Sequence, residues 1–206
     1  MANTDLDAGT ATPADGDEEG LRAQRTFTAL MRAMSEPGRV EKMDALTGVP
    51  EALPSGLASV ACALADFETS LWLDPHLAAN EAVTRYLRFQ TGAPIVADAS
   101  KASFALVSNA EELPPFDHFA LGSQDYPDRS ATIVMEVQSF ASATRYDLTG
   151  PGIETSASFA PGPLPADFED RMNANRALFP RGVDLILTSR GEVASLPRST
   201  RVQRAA

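Results

Sequence analysis

The chain has 206 residues, 44% of them hydrophobic and 22% charged, which suits one globular domain with an ordinary buried core. A net charge of −11, with no half of the chain strongly basic, argues against a nucleic-acid partner. One cysteine precludes an intrachain disulfide, and neither a signal-like N-terminus nor a run of about 18 apolar residues is present, so a cytoplasmic location away from membranes is expected.

Residues 1–20 carry Asp5, Asp7, Asp15, Asp17, Glu18 and Glu19 without a base, contributing −6 of the charge and leaving −5 for the rest. They hold too little apolar surface to offset the entropy of ordering, so 1–20 is expected to be a disordered acidic tail and 21–206 the folded domain. Residues 21–35 predict an amphipathic helix with Phe27, Leu30, Met31 and Met34 inward and Arg25 and Arg32 opposite. Pro37-Gly38 stops it.

A second helix is expected from Ser55 to about Phe67, its stripe being Leu57, Val60, Ala61 and Leu64, with Cys62 beside it as a small buried hydrophobe. Thr69–Leu73 reads as a strand, Asn80–Gln90 as a helix ended by Gly92, and Ile95–Ala97 and Ala102–Val107 as strands. Asn109 with Glu111 and Glu112 marks a short helix start, and 121–130 a polar loop. Ala131–Val137 and Tyr146–Thr149 are predicted strands, the latter ending at Gly150-Pro151-Gly152. Leu164, Phe168 and Met172 mark a helix through about Ala174. Val183–Thr188 and Glu192–Leu196 form a hairpin across Arg190-Gly191. The alternation predicts an α/β fold, a single layered domain with a mixed sheet.

The familiar catalytic patterns are missing. His76 and His118 belong to no metal-ligand spacing, and neither a phosphate-binding P-loop nor a dinucleotide fingerprint occurs. Lys42 and Lys101 sit poorly for Schiff-base chemistry, and Ser35 lacks a base and an orienting group, so it reads as part of the helix-ending turn. No catalytic, cofactor-binding or metal-binding residue is assigned. Guanidinium forks suit oxyanions, which leaves Arg88, Arg145, Arg181 and Arg198 as candidate anion-binding residues, each also readable as a solvated surface group. Arg198 stands out because Pro197-Arg198-Ser199-Thr200 places a cation and two hydroxyls after a strand.

Five segments in order resemble the H-subunit (PhnH) family of the carbon–phosphorus lyase core complex. They are Phe27–Gly38 (FTALMRAMSEPG), Arg88–Pro94 (RFQTGAP), Leu148–Ile153 (LTGPGI), Phe179–Thr188 (FPRGVDLILT) and Leu196–Thr200 (LPRST). Together they span residues 21 to about 202. The resemblance implies a fold like that of pyridoxal-phosphate-dependent transferases without their cofactor site. It also implies a homodimer that joins the G, I and J subunits in phosphonate catabolism. That complex makes a ribose 1-phosphonate 5-triphosphate from ATP and a phosphonate, then cleaves the C–P bond on an iron–sulfur subunit. This chain lacks the cysteines for such a cluster, so the resemblance implies an assembly role. The alternative is a stand-alone enzyme or binder for a phosphate- or phosphonate-bearing ligand.

Overall fold

The computed structural model describes residues 13–205, with side chains described from Gly20 onward. Helix α1 (Pro13–Ser35) begins the described chain, followed by strand β1 (Glu41–Lys42) and helix α2 (Ser55–Leu64). Strand β2 (Leu71–Leu73), the short helix α3 (Pro75–Ala78), helix α4 (Glu81–Thr91) and strands β3 (Ile95–Val96) and β4 (Phe104–Val107) come next. The second half holds β5 (Thr132–Glu136), β6 (Tyr146–Thr149), β7 (Ala157–Phe159), helix α5 (Phe168–Ala177), β8 (Asp184–Ser189), β9 (Glu192–Leu196) and β10 (Arg201–Arg204).

Seven strands form one mixed sheet in the order β1-β9-β8-β5-β4-β2-β3. Strands β3, β2, β4, β5 and β8 run parallel, and β9 runs antiparallel to both β8 and β1. The α/β class and mixed sheet agree with the sequence reading. Both faces of the central strands are buried, as parallel sheets require. Leu106, Val134, Ile186 and Val193 point to the side covered by α1, α2 and α4, where Leu30, Leu57, Val60, Val83 and Leu87 pack. Val107, Ile133, Met135, Leu185 and Leu187 point to the other side, against Phe168 and Met172 of α5. That second layer is completed by a three-stranded antiparallel sheet, β10-β6-β7, whose Tyr146, Leu148, Phe159 and Val202 join the same cluster.

Local chemistry explains the element ends. Asn80 caps α4 by accepting from the Ala82 and Val83 amides at 3.0 and 3.3 Å, and Gly92 ends it in the left-handed region at φ 70°. Asp74 caps α3 through the Leu77 amide at 2.8 Å, and its other oxygen accepts from the Ser108 amide and hydroxyl at 2.6 and 2.7 Å. One carboxylate thus ties the end of β2 to the end of β4.

Several expectations need correction. Helix α1 starts at Pro13, so residues 13–20 are helical rather than disordered; the expectation for residues 1–12 lies outside the described residues. Proline at the first helical position and acids soon after it suit a helix N-terminus. The buried face of α1 is also rotated: Thr26, Ala29, Leu30 and Ala33 are buried, whereas Phe27 and Met31 are 46% and 45% exposed. Close approach of α1 to α2 and β9 favours small side chains there. Cys62 is half-buried instead of fully enclosed. Helix α5 starts at Phe168, leaving Leu164 in the preceding loop.

Candidate functional site

Because β4, β5 and β8 are parallel, their carboxyl ends meet at one edge of the sheet, the place where open α/β sheets take ligands. Ser108 and Asn109 follow β4, Glu136 ends β5, Gln138 follows it, and Arg190 follows β8. These residues, with Glu111 and Pro163, wall a cleft of about 460 Å³. A neighbouring hollow of about 450 Å³ shares Ser108 and Asn109 and adds Glu51, His76 and Glu112, so the crevice continues along the edge toward β2.

Glu136 is the chemical centre of this cleft. It is half-buried and accepts a 2.5 Å hydrogen bond from the Thr188 hydroxyl on the adjoining strand, and another from the Arg190 backbone amide. Burial pushes its carboxyl above the ordinary value, and the two hydrogen bonds only partly offset that. Helix α2 comes close behind. A Cβ on Gly56 would fall 2.7 Å from Thr188 Cβ and 3.2 Å from Glu136 Oε2, so glycine is what lets the first turn of α2 settle against this pair. That helix follows Pro54, which gives it no side-chain cap, and has no acid in its first turn, which makes Glu136 the carboxylate lying against its positive end.

Arg190 holds an unusual backbone position. Its φ of 46° is the one positive value for a non-glycine among the described residues, and Gly191 beside it has φ 82°. Two consecutive positive angles give the two-residue hairpin turn whose twist matches the flanking strands. Asparagine or glycine normally takes the first position, and another residue there costs about 1–2 kcal/mol. The sequence nevertheless puts an arginine at the wall of the cleft.

The four arginines singled out from the sequence lie elsewhere. Arg88 is exposed on α4, and Arg145 is exposed just before β6, where its carbonyl accepts from Ala205 at 2.9 Å. Arg181 is half-buried in the turn between α5 and β8. Arg198 lies next to that turn and is fully engaged. Its guanidinium pairs with Asp184 through Nη2 and through Nε at 3.1 Å, and also donates to the carbonyls of Pro127 at 2.9 Å and Pro180 at 3.2 Å and to Ser130 Oγ at 2.6 Å. The structure therefore brings Arg198 beside the backbone of Arg181, at the opposite sheet edge from the cleft, while Arg88 and Arg145 stand on separate elements. Arg198 is not a solvated surface group: both partners of the pair are about five-sixths buried, with side-chain exposures of 15% and 16%.

Lys42 and Lys101 are exposed, and neither lines the cleft. His76 and His118 are exposed, as the sequence suggested. Among the described residues no group of three or more His, Cys, Asp or Glu side chains gathers in a metal-binding arrangement. None of the helices there is long and apolar enough to cross a membrane. A second groove, of about 390 Å³, runs between α1, α2 and α4, with Thr26, Cys62 and Gln90 in its wall. The edge cleft is the stronger site because it alone joins a half-buried acid of raised pKa to an arginine. Sequence reading missed Glu136 and Arg190, one absorbed into a strand and the other into a turn.

Comparison with known proteins covers almost the whole chain. Residues 17–203 match the family model for the bacterial phosphonate metabolism protein (PhnH). The PhnH subunit of alpha-D-ribose 1-methylphosphonate 5-triphosphate synthase from Rhizobium meliloti (strain 1021) is 39% identical over 184 residues, 89% of this chain and 92% of that protein. HtxG of Stutzerimonas stutzeri, described by its name as a candidate C-P lyase subunit protein, is 32% identical over 203 residues, 98% of this chain and 96% of that protein. A match of this extent, covering both sheets and all five segments quoted above, shows that the chain belongs to the PhnH family of bacterial phosphonate metabolism proteins.

Proposed function

We propose that this protein is a subunit of the complex that makes ribose 1-methylphosphonate 5-triphosphate from ATP and a phosphonate and then cleaves the C–P bond. In this reading it is an assembly subunit within a transferase and lyase system, working as a homodimer and docking to the G, I and J subunits in the cytoplasm. The observation that carries it is the unbroken family match over residues 17–203. The relative from Rhizobium, by its name a subunit of that synthase, supports the same assignment.

The domain proper is taken as 21–206, with residues 1–20 as an acidic extension. A kinship with pyridoxal-phosphate-dependent transferases that has lost its cofactor site is supported by two features. One is the seven-stranded mixed sheet layered with helices; the other is the position of both lysines away from its carboxyl edge. Small-molecule binding is the second reading, and the edge cleft favours it more than the four arginines do, since Arg198 already spends its donors within the fold.

Co-expression of the tagged chain with its host's G, I and J subunits, followed by mass and stoichiometry of the purified material, tests the main reading. A stable particle containing all four is the expected result. A chain that purifies alone, as a dimer or otherwise, would overturn it.

A further inference from the structure

The edge cleft holds two opposite charges that are not paired with each other. Glu136 takes its hydrogen bonds from neutral donors, the Thr188 hydroxyl and the Arg190 amide. Among the described residues, Arg190 has no carboxylate at ion-pair distance. Both line the same cavity, whose volume of about 460 Å³ falls within the range for small-molecule sites. A half-buried carboxylate without a cation is costly, and a left-handed arginine strains the turn that carries it. A ligand bearing both charges would neutralise the two groups together.

The remaining groups in the wall narrow the ligand further. Ser108 is spent on Asp74, and Asn109 is spent on the Glu111 amide at 3.1 Å and Glu112 at 3.2 Å. The Gln138 amide, the exposed Glu111 carboxylate, Glu136 and Arg190 are left to face the cavity. That set offers two acids for a cation, and a guanidinium with an amide for an oxyanion, in the wall of one cavity. We propose that this cleft binds a small zwitterion, an aminoalkylphosphonate, with its ammonium on Glu136 and its phosphonate on Arg190. The choice of phosphonate over other oxyanions rests on the family reading above; the demand for an amine and an oxyanion in one molecule rests on the cleft alone.

Isothermal titration of the full chain with 2-aminoethylphosphonate, ethylphosphonate and ethylamine tests this without any mutation. The aminophosphonate is expected to bind about tenfold or more tightly than either single-charge analogue. Glu136→Gln should erase the advantage of the amine, so that 2-aminoethylphosphonate binds no more tightly than ethylphosphonate. Arg190→Asn, which suits the same turn, should weaken both phosphonates about tenfold. Melting curves establish that each variant is folded. Equal binding of all three compounds, no binding of the aminophosphonate at millimolar concentration, or indifference to both substitutions would overturn the proposal. Co-purification with the partner subunits reports separately on the family reading, so the two can fail independently. Preference for the amine with no preference for phosphonate over carboxylate, measured with β-alanine, would reject the aminoalkylphosphonate and with it the proposal as stated.

Discussion

Strand β8 has a different chemistry at each end. At its start, Asp184 meets Arg198, and every guanidinium nitrogen finds an oxygen of the protein: a carboxylate, two carbonyls and a hydroxyl. Just before that strand, Val183 exchanges two 2.9 Å hydrogen bonds with the buried Asn175 side chain. At its end, Thr188 and Arg190 surround a carboxylate that receives only neutral donors and opens on a cavity. The amino edge is saturated and holds loops together; the carboxyl edge keeps polar capacity in reserve. One sheet therefore separates paired from unpaired polar groups by strand polarity, and an arginine means something different at each edge.

Breaking the saturated end should have the largest effect. Arg198→Ala leaves Asp184 without its cation, with only the backbone amide of residue 198 as donor, and removes the bonds to Pro127, Pro180 and Ser130, for an expected loss of about 3–5 kcal/mol in urea unfolding. Asn175→Ala comes next, leaving the Val183 amide and carbonyl buried without partners at a cost of about 2–3 kcal/mol, read in the same assay.

The open end should respond in the opposite direction. The folded state raises the Glu136 carboxyl above its ordinary value of 4.5, so it holds that proton more tightly than the unfolded chain does. The associated stability is complete below that value and is lost as pH rises through the folded pKa. Glu136→Gln removes the ionisation and should raise stability at pH 7 by about 1 kcal/mol, about 2–4 °C in Tm, a small figure because solvent still reaches the group. The advantage should vanish on acidification to below pH 4.5. A glutamine variant that is less stable at pH 7 would show that this end holds the fold together just as the other does, and would erase the contrast.

The sequence made the regular parts of the fold readable because their signals are local. Asn80 and Gly92 bound α4, and Arg190-Gly191 marks the hairpin, since caps and turns depend on a few neighbouring residues. The inward face of α1 is not legible in the same way, because close helix packing favours Ala29 and Ala33 over the larger Phe27 and Met31. Strands β1, β7 and β10 escape notice because they are short, and β10 turns only Val202 inward between charged and polar neighbours. The family segments reveal a different kind of signal. Pro37-Gly38, Gly150–Gly152 and Ser199–Thr200 pack against one another so closely that a Cβ on Gly152 would run into the Ser35 carbonyl. Such contacts join distant segments and leave only glycines as their trace. Glu136 is hidden for the same reason: a strand-terminal glutamate gains its role from Thr188 and α2, neither of which is adjacent in sequence.

The margins of the main sheet restrict how this protein can associate. Its outermost strands, β1 and β3, contain two residues each, so neither margin offers the length of unpaired backbone on which another chain's strand could zip. A companion protein that meets this sheet must therefore grip side chains on its helical or loop-covered faces, and its selectivity there will be written in surface shape and charge instead of a shared backbone ladder.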